Sequence, residues 1–242
     1  MSLYLCADVY HLSIGRTLNY HEIPPHLYWR ESHPRQPQGV KTKPNEKDPA
    51  LFTRADHGWA EGLHPMDRFV KNTYEVLSPL NELTAEMQMS GHQFLSPDFK
   101  VQRSVFGEGE NQVIVVVNTG AANYSVESRL GGKIVLPPGG FLIEAPTFVA
   151  FHAINWNGLA YPNAPLFTLR SADGQPLARS RKIRVFHGFG DPRVRLAEGT
   201  RTVAKEEVVS VTPLAEPVAG HFDKCPLVKT VNGGEDGSIM AG

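Results

Sequence analysis

The chain has only two cysteines, Cys6 and Cys225. They stand too far apart in sequence to suggest a thiolate zinc cluster or a disulfide framework, which leaves two reduced or buried thiols. Long apolar runs are also missing: no stretch approaches the ~18 consecutive apolar residues of a membrane-crossing helix, so no membrane partner is expected. Met1 to Val9 carries neither the basic region nor the sustained apolar region of a signal peptide. The start is abrupt: Leu3-Tyr4-Leu5-Cys6-Ala7-Asp8-Val9-Tyr10 enters apolar sequence at once. Charge of one sign is scarce too. With 24 Lys and Arg against 25 Asp and Glu, the formal charge is −1, which provides no electrostatic footprint for nucleic acid or an anionic surface. Neutral ligands fit that balance better. Ser13-Ile14-Gly15 lacks the first glycine of a nucleophile elbow, and Gly188-Phe189-Gly190 has no phosphate-binding helix after it, so those catalytic classes are set aside.

What is present is a chain of 242 residues, 41% hydrophobic and 20% charged, long enough for one large domain or for two units. Residues 3–14 read as a short buried strand, followed by turn signals in Asn19-Tyr20-His21-Glu22-Ile23-Pro24-Pro25. From Arg30 to His57, prolines 34, 37, 44 and 49 among charged residues predict a long loop. Between Pro65 and Met89 the pattern turns helical, with Phe69, Val70, Tyr74 and Leu77 forming an apolar stripe. Ser78-Pro79 predicts a break, with one helix ending near Leu77 and a second over Leu80–Met87.

From Gly91 the period becomes strand-like. Val113-Ile114-Val115-Val116-Val117 predicts a strand buried on both faces. Tyr124 and Val126 alternate with polar neighbours, and Ile134-Val135-Leu136 stops at the turn cluster Pro137-Pro138-Gly139-Gly140. Phe148, Ala150 and His152 are expected on one face, with Val149 and Phe151 on the other. Pro165–Arg170 and Ile183–Phe186 read as a hairpin around Ala172-Asp173-Gly174-Gln175. Val208–Val211 is a candidate edge strand. Helical crossovers are missing, so the fold class expected is mainly β: an antiparallel β-sandwich preceded by a short strand, a long loop and helices. The divisions are 1–90, 91–195 and a weakly structured extension at 196–242.

Hydrolysis of a glycosidic bond requires two carboxyl groups across the scissile bond. Asp8, Glu22, Asp67 and Glu75 are the N-terminal carboxylates. Glu22 stands out because Asn19-Tyr20-His21 groups hydrogen-bonding side chains with an aromatic face, as a sugar site does. Pairing of Glu22 with Arg16 or Arg30 is the competing structural reading. Tyr10 and His11 end the first strand, the end that faces the active site in a β/α barrel. Trp156, between Asn155 and Asn157, reads either as an exposed ring that stacks on sugar or as a lid over a sandwich edge. The candidate substrate-binding set is therefore Tyr10, His11, His21, Glu22 and Trp156. Ten histidines invite a metal reading, but none are spaced as zinc ligands, so no metal and no cofactor are expected. Glu144, His152 and His187 converging as in a cupin is the metal-dependent alternative.

Asp8-Val9-Tyr10-His11, Phe69 to Leu80, Phe94-Leu95-Ser96-Pro97-Asp98, Val105-Phe106-Gly107, Val115-Val116-Val117-Asn118 and Leu136-Pro137-Pro138-Gly139-Gly140-Phe141 together carry a family resemblance. They resemble the last barrel strand, the last barrel helix and the accessory sandwich of endo-α-N-acetylgalactosaminidase-like glycoside hydrolases. Leu12-Ser13 departs from that pattern, which often has an acidic residue after the histidine. The resemblance implies a C-terminal portion with one wall of a carbohydrate cleft and a supporting sandwich, inactive alone because the catalytic carboxylates lie on earlier strands. Its partners would be carbohydrate or the remainder of a β/α barrel, and apolar side chains of residues 3–90 should be left exposed. A self-contained carbohydrate-binding or interaction module is the alternative.

Overall fold

The computed structural model describes Phe52, Arg54, residues 56–63 and residues 65–212. Its centre is an antiparallel sheet of eight strands. In spatial order these are β1 (Met89–Phe94), β2 (Val101–Phe106), β3 (Val113–Asn118), β6 (Phe141–Ala145), β7 (Phe148–His152), β10 (Leu166–Ser171), β11 (Lys182–Phe189) and β14 (Glu206–Ser210). The excursions between these strands form three two-stranded hairpins: β4 (Tyr124–Ser128) with β5 (Gly132–Leu136), β8 (Asn155–Trp156) with β9 (Leu159–Ala160), and β12 (Arg193–Leu196) with β13 (Gly199–Thr202). Each hairpin supplies side chains to one core on one face of the sheet. The opposite face carries helix α1 (Pro65–Thr84).

Two-residue alternation sorts the central strands between these cores. Val113, Val115 and Val117 enter the helix-side core with Phe141, Ile143, Phe148 and Ala150. Ile114 and Val116 enter the hairpin-side core with Leu142, Val149 and Phe151. Every residue of β3 is buried, which explains the unbroken β-branched run: it has no solvent face. Each such side chain contributes ~1.5–3 kcal/mol on burial. The Pro137–Gly140 turn closes with Gly140 N–H donating to the Pro137 carbonyl at 2.7 Å, and Gly139 has φ 73°. Proline followed by a residue of positive φ is the chemistry of a type II turn.

Three expectations are corrected. Ser78-Pro79 does not divide the helix, which runs continuously for 20 residues through Pro79. The proline removes one hydrogen bond, to the Glu75 carbonyl, and its ring is buried, so tertiary packing overrides the local signal. The buried face is also rotated from the expected stripe. Asn72, Glu75, Val76 and Leu80 are buried, whereas Val70 and Tyr74 are 57% and 61% exposed. Periodicity of apolar residues alone missed that face because two of its members are polar and gain partners only in the folded chain. Finally, the segment after 196 is not weakly structured throughout: β13 follows β12, and β14 joins the sheet edge beside β11, where the edge strand at Val208–Val211 was expected.

The chain before α1 is part of the same packing. Phe52 is fully buried and tilts against Phe141 at 6.1 Å between ring centroids. Trp59 N–H donates to the His187 carbonyl at 2.9 Å, and Gly190 N–H donates to the Asp56 carbonyl at 2.9 Å. This strap passes so close to β11 that a Cβ on Gly58 would lie 1.9 Å from the Gly188 carbonyl oxygen. Gly58→Ala should therefore lower the unfolding free energy by about 2 kcal/mol or more through overpacking. Gly91→Ala, whose new Cβ meets nothing closer than 3.9 Å, should stay within ~0.5 kcal/mol of the parent; denaturant unfolding of both variants checks the contrast.

Candidate functional site

The densest polar constellation lies where α1 meets β11. Even-numbered residues of β11 such as Arg184 and Phe186 face the helix, because Ile183 and Val185 enter the opposite core. Arg184 forks onto Glu75, Nη1 to Oε2 at 2.6 Å and Nη2 to Oε1 at 2.9 Å, while its Nε donates to Glu206 Oε1 at 2.6 Å. Lys71, one turn before Glu75, donates to Glu75 Oε1 at 2.6 Å and lies 4.5 Å from the Trp59 ring centroid. Burial by itself would raise the Glu75 carboxyl, but hydrogen bonds from Arg184 and Lys71 outweigh it and hold the group below its ordinary value. The same pair keeps Arg184 above its ordinary value. A planar guanidinium matched to a carboxylate makes the strongest kind of charged hydrogen bond. Farther along the helix, Arg170 of β10 donates to Glu82 at 2.8 Å.

A second cluster holds the strap. Arg54 donates to Asp56 at 3.2 and 3.0 Å and to Asn163 Oδ1 at 2.7 Å, and its guanidinium carbon stands 4.4 Å over the Phe189 ring. Asn72 on α1 donates to the carbonyls of Phe52 and Arg54 at 2.9 and 3.3 Å. Beneath lies His152, buried, edge-on to Phe189 at 5.5 Å, with Nδ1 3.0 Å from the Pro165 carbonyl. Burial pushes its pKa down to about 4, so the ring is neutral at pH 7 and Nδ1–H donates. These interactions hold the strap to α1, to Asn163 ahead of β10 and to β11, and leave the buried Asn72 Oδ1 without a hydrogen-bond partner.

The cupin-like trio does not converge. Glu144 is paired with Ile114 and Val149, and His187 with Phe167, all residues of the hairpin-side core. His152 pairs with Phe141 and Leu166, of the helix-side core. The sheet itself separates His152 from the other two. Among the described residues no group of three or more His, Cys, Asp or Glu is placed to hold a metal ion. Glu144 instead organises the β4–β5 hairpin: it accepts from Ser128 Oγ, from Arg129 N–H at 3.1 Å and from Leu130 N–H at 3.1 Å. Full burial nevertheless dominates and raises its pKa. The shallow depression beside it is lined by Gln112, Arg129, Leu130, Glu144 and Ala145.

Trp156 is corrected as a sugar-stacking candidate. Its indole is fully buried and lies parallel to the Phe151 ring, with centroids 4.3 Å apart and planes at 7°. A Cβ on Gly131 would fall 2.4 Å from the indole, so the backbone of the neighbouring hairpin closes directly over it. The overlooked signal was Asn157-Gly158, whose φ values of 45° and 73° make the tight hairpin turn that pairs Trp156 with Leu159. Tyr10, His11, His21 and Glu22 lie outside the described residues. Of the other carboxylates, Asp8 lies there too, Asp67 is exposed in the first turn of α1, and Glu75 is taken up by Arg184 and Lys71. Arg184 was not singled out in sequence because nothing local distinguishes it from other strand arginines.

No protein family, curated protein or solved structure matches this chain. The glycoside-hydrolase resemblance therefore rests on the short motifs in the sequence.

Two measurements follow from this geometry. Glu75→Ala should cost about 3 kcal/mol, because it leaves Arg184 half-buried without its main partner. Glu75→Leu combined with Arg184→Leu should recover much of that loss in a double-mutant cycle of urea unfolding. His152 gives a pH signature. Its folded-state value near 4 lies below the ordinary 6.5, so between those pH values the unfolded chain binds more protons. Stability is then full above pH 6.5 and falls as pH drops toward 4, by about 3 kcal/mol over the whole window. His187 is shifted the same way by burial. His152→Asn, which keeps a donor for Pro165, should flatten the slope of unfolding free energy between pH 6.5 and 5 without abolishing it.

Proposed function

We propose that this β-domain is a non-catalytic bracing module of a glycoside-hydrolase-like protein, with α1 as the helix shared between the sandwich and the body it braces. The observation that carries the reading is the two-sidedness of α1. Val76 and Leu80 are fully buried on the sheet, while Val70 and Tyr74 stand exposed on the opposite side of the helix. At 100° per residue the two pairs lie well over 90° apart around the axis. Surface helices of self-contained domains have one apolar stripe; a helix between two bodies needs two. The Glu75–Arg184 fork gives such a helix a fixed rotation, so the second face is presented at a set angle.

The carbohydrate part of the reading comes from the sequence resemblance. It agrees with the disposition of the buried carboxylates. Glycoside hydrolysis uses a pair some 5–9.5 Å apart across an open cleft. Glu75 packs on the helix side of the sheet and Glu144 on the hairpin side, and both are engaged with the chain's own donors. The domain supports and orients, and chemistry belongs to the body it braces.

The two faces of α1 provide the test. Val76→Ala should destabilise the chain by about 2 kcal/mol, the cost of a cavity at a buried valine. Val70→Glu and Tyr74→Glu should change stability by less than ~0.5 kcal/mol, because both side chains are exposed and the described residues do not pack on them. The purified chain should also release no aryl leaving group from a panel of nitrophenyl glycosides. Turnover of any of these substrates, or a Tyr74→Glu loss as large as that of Val76→Ala, would overturn the reading.

A further inference from the structure

At one edge of the sheet, the tip of the β1–β2 hairpin carries an exposed aromatic cluster. Phe94 is 51% and Phe99 63% exposed. Their rings meet edge to face at 5.1 Å, and His92 meets Phe94 in the same way at 5.1 Å. The loop that presents Phe99 is tied down. Ser96 Oγ donates to Asp98 Oδ1 at 2.5 Å, and the N–H groups of Lys100 and Val101 donate back to Ser96 Oγ at 3.2 and 2.9 Å. Phe99 itself is held at φ 59°, a left-handed conformation that is uncommon for a bulky aromatic residue. Across the strand pair from Phe94 lies Gln102. Its Nε2 donates to the Phe99 carbonyl at 3.3 Å, and its Oε1 has no hydrogen-bond partner.

We propose that this cluster is a binding platform for neutral carbohydrate, a site that would let the bracing domain hold glycan as well as support its neighbour; it rests on the carbohydrate reading above. Size and charge select this occupant. Two phenylalanines, each a little over half exposed, offer roughly 200–250 Å², far below the ~1,000 Å² that a specific protein interface buries. Asp98 beside Lys100 balances the local charge, which disfavours an ionic ligand. What remains is a rigid ring face with amide and hydroxyl groups around it. A pyranose complements this surface: its C–H face stacks on a ring while its hydroxyls reach polar side chains at the rim.

Isothermal titration of the full chain with neutral oligosaccharides of glucose, galactose and N-acetylhexosamine, and with sialylated counterparts, tests the proposal. Saturable binding of at least one neutral series is expected. Phe94→Ala should weaken it about tenfold, the loss of one aromatic stacking contact. Phe99→Gly should do the same with an unchanged or higher melting temperature, because glycine accepts φ 59° without strain. Three results would each overturn the proposal: no oligosaccharide binding, binding indifferent to both substitutions, or a parent dimer that Phe99→Gly converts to monomer. The bracing reading is scored separately by the Val76, Val70 and Tyr74 variants and by glycoside turnover, none of which involves this hairpin.

Discussion

The fork between Arg184 and Glu75 sets the arrangement of everything on the helix side of the sheet. A carboxylate with this little exposure cannot sit against an apolar sheet unless its charge is matched, and the match must come from a strand whose register puts an arginine directly beneath. Once it is made, the rotation of α1 is set. Val76 and Leu80 then face the core, Asn72 reaches the strap carbonyls, and Lys71 closes over Trp59. Replacing the pair with leucines would keep the packing, but a sliding apolar contact would replace a directional one.

The sheet beneath is equally constrained. It has a core on each face, which demands apolar residues at both parities of its central strands, and β3 meets that demand with an unbroken run. Hairpins cap one face and the helix and strap cap the other, so the buried ionisable groups are divided between two environments that do not communicate. Glu144 serves a turn on one side, while Glu75 and His152 serve the helix and strap on the other. That division turns residues resembling a ligand set into separate structural parts. Among the described residues, large apolar side chains stay exposed on the outer face of α1, on the aromatic hairpin at the sheet edge, and at Leu63 and Val208.

The sequence carried much of the fold in readable form. Strand periodicity, the valine run and the Pro-Gly turn each act within a few residues and appear at the expected places. The helix was legible as a helix, but its buried face was not, since Asn72 and Glu75 look solvent-exposed until their partners 18 to 109 residues away are known. Pro79 misled for a related reason: the local cost of an interior proline is real, and burial of its ring against the fold outweighs it. Trp156 among asparagines left open an exposed ring or a lid over a sandwich edge; Asn155 bonds the neighbouring strand backbone and Asn157 makes the turn, so the polar neighbours mark a hairpin with the indole buried.

Local chemistry thus determined which segments are strands, where they turn and that the class is mainly β, because those properties depend on φ and ψ preferences and on alternation over a few residues. Only tertiary structure decided which face of α1 is buried, which histidines share a side of the sheet and which aromatics remain exposed. Those outcomes depend on strand register and on charge pairing between distant residues. Neither leaves a mark in any short window of sequence.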